Sequence, residues 1–123
     1  MPRNMSFSMT PLGIINQTKT VTRRRKWKFL KVGDILWAVE KSMGLAKGEK
    51  VKRLAKIRVT DVRRESLNTL TRAWGWGLIE MNREGLPDIP PSDFVHLWME
   101  HFGGKEDQMV TRIEFEYLEN DDA

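Results

Sequence analysis

The 123-residue sequence predicts an α+β domain: a small mixed β-sheet that curls into a half-open barrel, with helices beside it. Three observations carry that expectation. Segments of alternating polarity lie at both ends of the chain and a longer one lies at its centre; helix start and stop signals fall between them; and the length suits one core rather than two. The expected domain therefore covers residues 1–123, with its core at about 5–118 and a flexible tail over 119–123.

Taken in order, "MSFSM" at residues 5–9 alternates as a short half-buried strand does. "TPLGIINQ" then reads as a short helix, with Thr10 as N-cap and Pro11 at the first helical position, where its missing N–H costs nothing. "TVTRR" is β-branched and predicts a strand. Gly33 and Asp34 mark a turn before the apolar run Ile35 to Val39, a further strand. "KSMGLAKGEKVKR" holds two glycines and little apolar content, so it reads as a long exposed loop or hairpin tip. "RLAKIRVTDVRRESL" alternates over most of its length and is the expected central strand.

The second half opens with "LNTLTRAWGWGLIEMNREGLP", which reads as one helix capped at Asn68, Thr69 or Thr71 and stopped by Gly85 and Pro87, with the two glycines of "WGWG" weakening its middle. "PPSDFVHLWMEHFGG" predicts a second helix with Phe94, Leu97, Trp98 and Phe102 on its buried face. "MVTRIEFEYLE" alternates again as a closing strand. Five or six strands are expected in all.

Composition narrows the function. There is no cysteine, which excludes disulfides, thiolate metal sites and cysteine nucleophiles and suits a reducing cytoplasm. No long apolar run is present and "MPRNMSFSMT" has no secretion signal, so the chain reads as soluble and cytoplasmic, without a membrane partner. His96 and His101 lie five apart, which does not put two imidazoles on one helical face, so neither a metal nor another cofactor is expected. The net charge of +4 hides a division: residues 1–64 carry seventeen Lys and Arg against four acids, a net +13, and residues 65–123 carry four against thirteen, a net −9. Either the acidic half docks on the basic half, or a basic face is kept for a polyanion.

The densest basic stretch is "INQTKTVTRRRKWKF", residues 15–29. Arg23, Arg24, Arg25, Lys26 and Lys28 mix with Trp27 in the way that single-stranded nucleic acid sites combine phosphate-pairing cations with a flat ring for stacking. Lys47, Lys50, Lys52 and Arg53 add a second cluster. Along an extended segment one of Arg23 and Arg24 points inward, and Arg23 is expected beside Thr22. Trp98 falls on the apolar stripe of its helix, while Trp74 and Trp76 divide between core packing and base stacking.

Together "QTKTVTRR", "KVGDILWAVE", "KIRVTDVRRESLNTL" and "REGLP" resemble the ASCH domain, a relative of the PUA RNA-binding barrel, and the layout is similar to that of small ASCH proteins of phages and prophages. The resemblance spans about Met5 to Tyr117, and its most specific part is the K-T-x-T-R element. It implies a small PUA-like mixed barrel with a cleft between sheet and helices that binds RNA or acts on nucleotides. One bacterial branch of the family hydrolyses the amide of N4-acetylcytidine. Carried over to this sequence, that branch's catalytic lysine, threonine and glutamate would be Lys19, Thr22 and Glu84. A threonine hydroxyl becomes a nucleophile when a base takes its proton, and a lysine serves as that base when burial lowers its pKa. Because residues at i and i+3 of a regular strand face opposite ways, Lys19 shares a pocket with Thr22 only if it sits in the turn before the strand or a bulge intervenes.

Two functions follow. The favoured one is a module that binds RNA, single-stranded nucleic acid or a modified nucleoside in a basic cleft. The alternative is an amidohydrolase acting on N4-acylated cytidine or cytosine through Lys19, Thr22 and Glu84. A lysine-rich loop and extra tryptophans suit a polymer better than a free nucleoside. Nuclease activity, a third possibility in the wider family, has no recognisable site of its own here.

Overall fold

The computed structural model describes residues 2–41 and 47–119. Its elements run β1 (Arg3–Ser6), α1 (Pro11–Ile15), β2 (Val21–Arg24), β3 (Ile35–Val39), β4 (Arg53–Ser66), α2 (Thr69–Arg72), α3 (Trp74–Arg83), α4 (Pro91–Phe102) and β5 (Met109–Leu118). The five strands form one mixed sheet in the order β1-β3-β4-β5-β2, curled into a half-barrel. Only the β1–β3 pair is parallel, and β1 and β2 are the two edges. The expected α+β half-open barrel is what the chain forms, a curled five-stranded sheet with four helices.

The central strand is β4, whose fourteen residues pair with β3 on one side and with β5 on the other. Its register against β5 slips between Val59 and Asp61, so Thr60 stands unpaired at a bulge. A bulge increases local twist and bends the strand, which helps a long strand wrap rather than stay flat. One core lies inside the curl, built on Met5, Phe7, Ile14, Leu36, Ile57, Ile113 and Phe115. A second, around Leu67, Leu70, Met81, Phe94, Val95 and Trp98, joins the three C-terminal helices to the end of the sheet.

Several elements depart from expectation. The first strand is Arg3–Ser6 rather than residues 5–9, because Phe7 makes the last ladder bond, N–H to the Val39 carbonyl at 2.8 Å, and the chain then turns to bring the Thr10 N–H onto the Phe7 carbonyl. The single helix expected from Asn68 to Gly85 is two. It breaks at Ala73 (φ −103°, ψ 72°), ahead of "WGWG", so that Leu70 and Met81 both reach the second core. On α4, Val95 takes the buried place expected for Leu97, which is 43% exposed, and Phe102 is only half-buried. The lysine-rich segment does join the antiparallel β3 and β4, as a hairpin tip would. Its residues 42–46 lie outside the described residues, as do 120–123 of the expected tail. Among the described residues no helix is long and apolar enough to cross a membrane.

The glycines of "WGWG" have opposite roles. A Cβ on Gly77 would lie 2.1 Å from the Leu70 carbonyl oxygen and 3.1 Å from Pro91 Cγ, so the absent side chain is what lets α3 approach α2 and the start of α4. A Cβ on Gly75 meets nothing within 4 Å. Gly77→Ala should therefore destabilise the protein by about 1–3 kcal/mol through overpacking. Gly75→Ala should be neutral or add up to about 1 kcal/mol from helix propensity. Urea unfolding of the two variants checks this, and equal effects would refute the close-packing role.

Candidate functional site

A cavity of about 300 Å³ opens between the two sheet edges, where β1 and β2 fail to meet. Ser6 to Thr10 wall one side, Thr22 to Arg24 another, and α4 with the segment before it supplies Leu86, Ile89, Phe94, Leu97, Trp98 and Phe102. Lys19 and Glu84 add a buried cation and carboxylate to its lining. Most of the wall is thus aliphatic or aromatic, the character of a pocket for a small organic ligand.

Lys19 reaches the cavity because it lies in the irregular segment between the turn at Asn16 and Gln17 and β2, outside the alternation of the strand, and it shares the lining with Thr22. Its N–H bonds the Gly13 carbonyl at 3.1 Å, the Thr20 N–H bonds the Arg83 carbonyl at 2.7 Å, and the Tyr117 hydroxyl donates to the Lys19 carbonyl. The stem of Lys19 is clamped between two glycines: a Cβ on Gly13 or on Gly85 would lie 3.1 Å from Lys19 Cβ. Gly85 also has φ +80°, the left-handed conformation that ends α3 and that other residues adopt at a cost.

Lys19 Nζ donates to Glu84 Oε1 at 2.6 Å and to the Glu84 carbonyl at 3.0 Å. Burial pulls the Lys19 ammonium below its ordinary pKa, against the opposing attraction of Glu84. The other oxygen of Glu84 accepts from Arg23 Nη1 at 2.8 Å. Arg23 also pairs with Glu80 and, at 3.3 Å, with Glu65, so its guanidinium is wholly buried among carboxylates. Arg23, expected from the sequence as a nucleic-acid contact near Thr22, thus has its charge met inside the protein, and the Thr22 hydroxyl is bonded by another arginine. That partner is Arg24, whose Nε donates to Thr22 Oγ1 at 3.1 Å.

The network extends to residues that sequence reasoning missed. Glu80 accepts from Arg23, from Arg83 at 2.8 Å and from Arg112 at 2.7 and 3.1 Å. Arg112 stands directly across from Arg23 on β2 and from Arg63 on β4, a juxtaposition of like charges that needs carboxylates between them. One signal was available. Glu80 lies four residues before Glu84 and so shares its helical face.

The other expected basic residues are spread over the surface. Arg25, Lys26 and Lys28 are exposed just after β2, and Arg25 Nη1 donates to the Phe102 carbonyl at 2.7 Å beside the cavity. Trp27 is half-buried against the first core with its ring 5.4 Å from Phe29, so it is a packing residue as much as an exposed platform. Lys47, Lys50, Lys52 and Arg53 are exposed on the β3–β4 hairpin and do not line the cavity; Lys52 pairs with Glu40 at 3.5 Å and Arg53 lies over Trp37. Trp98 is core, donating its indole N–H to the Arg23 carbonyl at 3.1 Å. Trp76 packs between the guanidiniums of Arg23 and Arg63, and Trp74 is half exposed.

Burial opposes ionisation of Glu80, yet Arg112, Arg23 and Arg83 outweigh it and hold its carboxyl down to about 2. A carboxyl depressed on folding stabilises the protein above its unfolded value, 4.5, and that contribution is lost as pH falls toward 2. The contribution is about 3 kcal/mol. Urea midpoints measured from pH 6 to pH 2 should fall mainly below about pH 4.5 in the wild type. Glu80→Gln should cost about 3–5 kcal/mol at neutral pH and flatten that fall. An unchanged pH profile in the variant would show that Glu80 does not carry the effect.

No family model and no curated protein sequence matches the chain. Solved structures do. An ASCH domain from Lactobacillus crispatus JV V101 superposes with a TM-score of 0.64 at 14% identity, covering 94% of this chain and 78% of that one. Protein EF3133 from Enterococcus faecalis V583 gives 0.62 at 16% identity, covering 96% and 76%. ASCH from Zymomonas mobilis gives 0.56 at 14% identity, covering 92% and 64%. At these identities the likeness concerns architecture: the chain shares the fold of these ASCH-domain structures.

Proposed function

We propose that the cavity between β1 and β2 binds one nucleobase with its sugar, offered free or by single-stranded RNA or DNA. The observation that carries this reading is the cavity itself: about 300 Å³, walled by Phe7, Leu97, Trp98 and Phe102, with the hydrogen-bonding groups of Lys19, Thr22 and Glu84 also in its lining. Apolar walls take a flat ring, and polar groups among them read its edge. Arg25, Lys26 and Lys28 lie outside the pocket on the strand's continuation, where they would follow a phosphate backbone. The ASCH-like fold agrees with a nucleic-acid-related role.

Fluorescence anisotropy with labelled single-stranded oligonucleotides tests the reading. Binding should weaken steeply with salt, and replacing Arg25, Lys26 and Lys28 by Ala should lower the salt slope by about one for each phosphate that a removed cation had neutralised. Leu97→Trp, which fills the cavity from its exposed side, should abolish base-dependent binding and leave a weak salt-sensitive remainder. No binding of oligonucleotide or nucleoside by folded wild-type protein would refute the proposal.

A second reading, hydrolysis of an N4-acylated cytidine or cytosine, is favoured by one observation. Lys19 and Glu84 touch at 2.6 Å in the cavity that Thr22 also lines, and burial lowers the Lys19 pKa in the direction a general base requires. In this reaction Thr22 Oγ attacks the acyl carbon while Lys19 takes its proton. The C–N bond breaks as that proton passes to the leaving amine, and water activated by Glu84 then hydrolyses the acyl-threonine ester. Thr22→Ala should abolish release of the free amine, followed chromatographically over a panel of acylated nucleosides, and leave the melting temperature nearly unchanged. Turnover that survives Thr22→Ala, or is absent from the wild type, would eliminate this mechanism.

A further inference from the structure

Each fully buried cation of the site is paired with a carboxylate. Lys19 has Glu84; Arg23 has Glu65, Glu80 and Glu84; Arg112 has Glu80 and Glu114. Arg24, half-buried in the cavity wall, makes no ion pair among the described residues. Its Nε is bonded to Thr22 Oγ1 at 3.1 Å, and its guanidinium carbon lies 4.7 Å from the centre of the Phe7 ring. Nη1 and Nη2 meet no protein acceptor among the described residues. The one carboxylate in the cavity wall, Glu84, is already matched by Lys19 and Arg23. Keeping a partly desolvated guanidinium without a directly paired carboxylate costs stability, and a ligand anion can supply the pairing that the protein does not.

We propose that Arg24 is the seat of a phosphate carried by the ligand, so that the cavity selects a nucleotide over the corresponding free nucleoside or base. The inference rests on the base-binding reading of the cavity and names the chemical class it takes. The contact to Thr22 and the Phe7 ring fix the plane of the guanidinium and leave its two terminal nitrogens as a fork, the shape that binds two phosphate oxygens at once. Lys19, Glu84 and Arg24 all line the cavity, and the first two are paired with each other, so a ligand with a base edge and a phosphate has polar groups for the one and an unpaired guanidinium for the other. Arg25, exposed next along the chain, adds positive potential. Burial pulls the Arg24 guanidinium down to about 10, against the opposing attraction of Glu84, and leaves it charged at neutral pH. A phosphate within a strand and one on a free nucleotide offer the same oxygens, and the ligand panel separates them.

The test is calorimetric titration of the full chain with four probes: the common nucleosides, their 5′-monophosphates, their 3′-monophosphates and a short single-stranded oligonucleotide. A monophosphate should bind about ten- to a hundredfold more tightly than its nucleoside. Arg24→Gln should erase that difference and leave nucleoside affinity within about twofold, while Arg24→Lys should keep part of it because the charge stays and the fork is gone. Thermal melting of the ligand-free variants checks folding. Arg24→Gln should melt at the wild-type temperature or above, because it removes a partly desolvated cation that has no ion-pair partner among the described residues. Dependence on Arg24 that appears only with the oligonucleotide would assign the phosphate to a strand, and dependence with monophosphates would assign it to a free nucleotide; either supports the proposal. Equal affinity for nucleoside and monophosphate in the wild type together with oligonucleotide binding unchanged by Arg24→Gln, or equal weakening of nucleoside and phosphate-bearing probes in Arg24→Gln, would overturn it and leave the base-binding reading standing. Failure of all four probes would overturn both.

Discussion

The buried exchange of charge between β2 and α3 is the constraint on which the site depends. Glu80 and Glu84 lie one helical turn apart and face Lys19, Arg23 and Arg112, which come from the approach to β2, from β2 and from β5. Glu65 on β4 completes three carboxylates for three cations. Among the described residues no fully buried side-chain polar atom lacks a partner. Desolvating so many charges is tolerable only because each is met in kind, and a network of this sort does more to fix a unique arrangement than to add stability.

That network also explains the placement of the cavity. As an edge strand β2 has only β5 as a sheet neighbour, and without its ties to α3 it would be held by four residues of pairing. Arg23 fastens it to α3, while Thr22 and Arg24 line the opening left between β1 and β2. The open edge of the half-barrel is therefore covered by helices and side chains rather than by a further strand, and the space beneath that cover is the site. Gly77 and Gly85 serve the same end, one allowing α3 to approach its helical neighbours and the other letting the chain pass close over Lys19.

The division of charge along the chain has a mixed origin. Much of the apparent basic surface is consumed internally: Lys19 and Arg23 are neutralised by acids of the second half, and on the surface Arg58 pairs with Glu116. What remains exposed near the cavity is the group after β2, Arg25, Lys26 and Lys28, and on the hairpin Lys47, Lys50, Lys52 and Arg53. Net charge by segment thus overstated the surface available to a polyanion, because it cannot distinguish a cation facing a carboxylate from one facing water.

Local pattern alone determined the α+β class, the long central strand, the strand Ile35–Val39, the short helix after Thr10 and the helix from Pro91, because each rests on periodicity and on caps or turn residues within a few positions. It also singled out Lys19, Thr22 and Glu84, though only through likeness to a family, and the fold does bring the three to one cavity. Tertiary structure alone decided the rest. The break at Ala73, the burial of Arg23, the recruitment of Glu80 and Arg112 and the isolation of Arg24 all depend on which side chains meet across α3, β2 and β5. Adjacent arginines on one short strand read alike in sequence. They part company because Arg23 finds carboxylates from a helix some sixty residues on, whereas Arg24 faces the cavity between the open edges, and the energy of a charge is set by its neighbours in space.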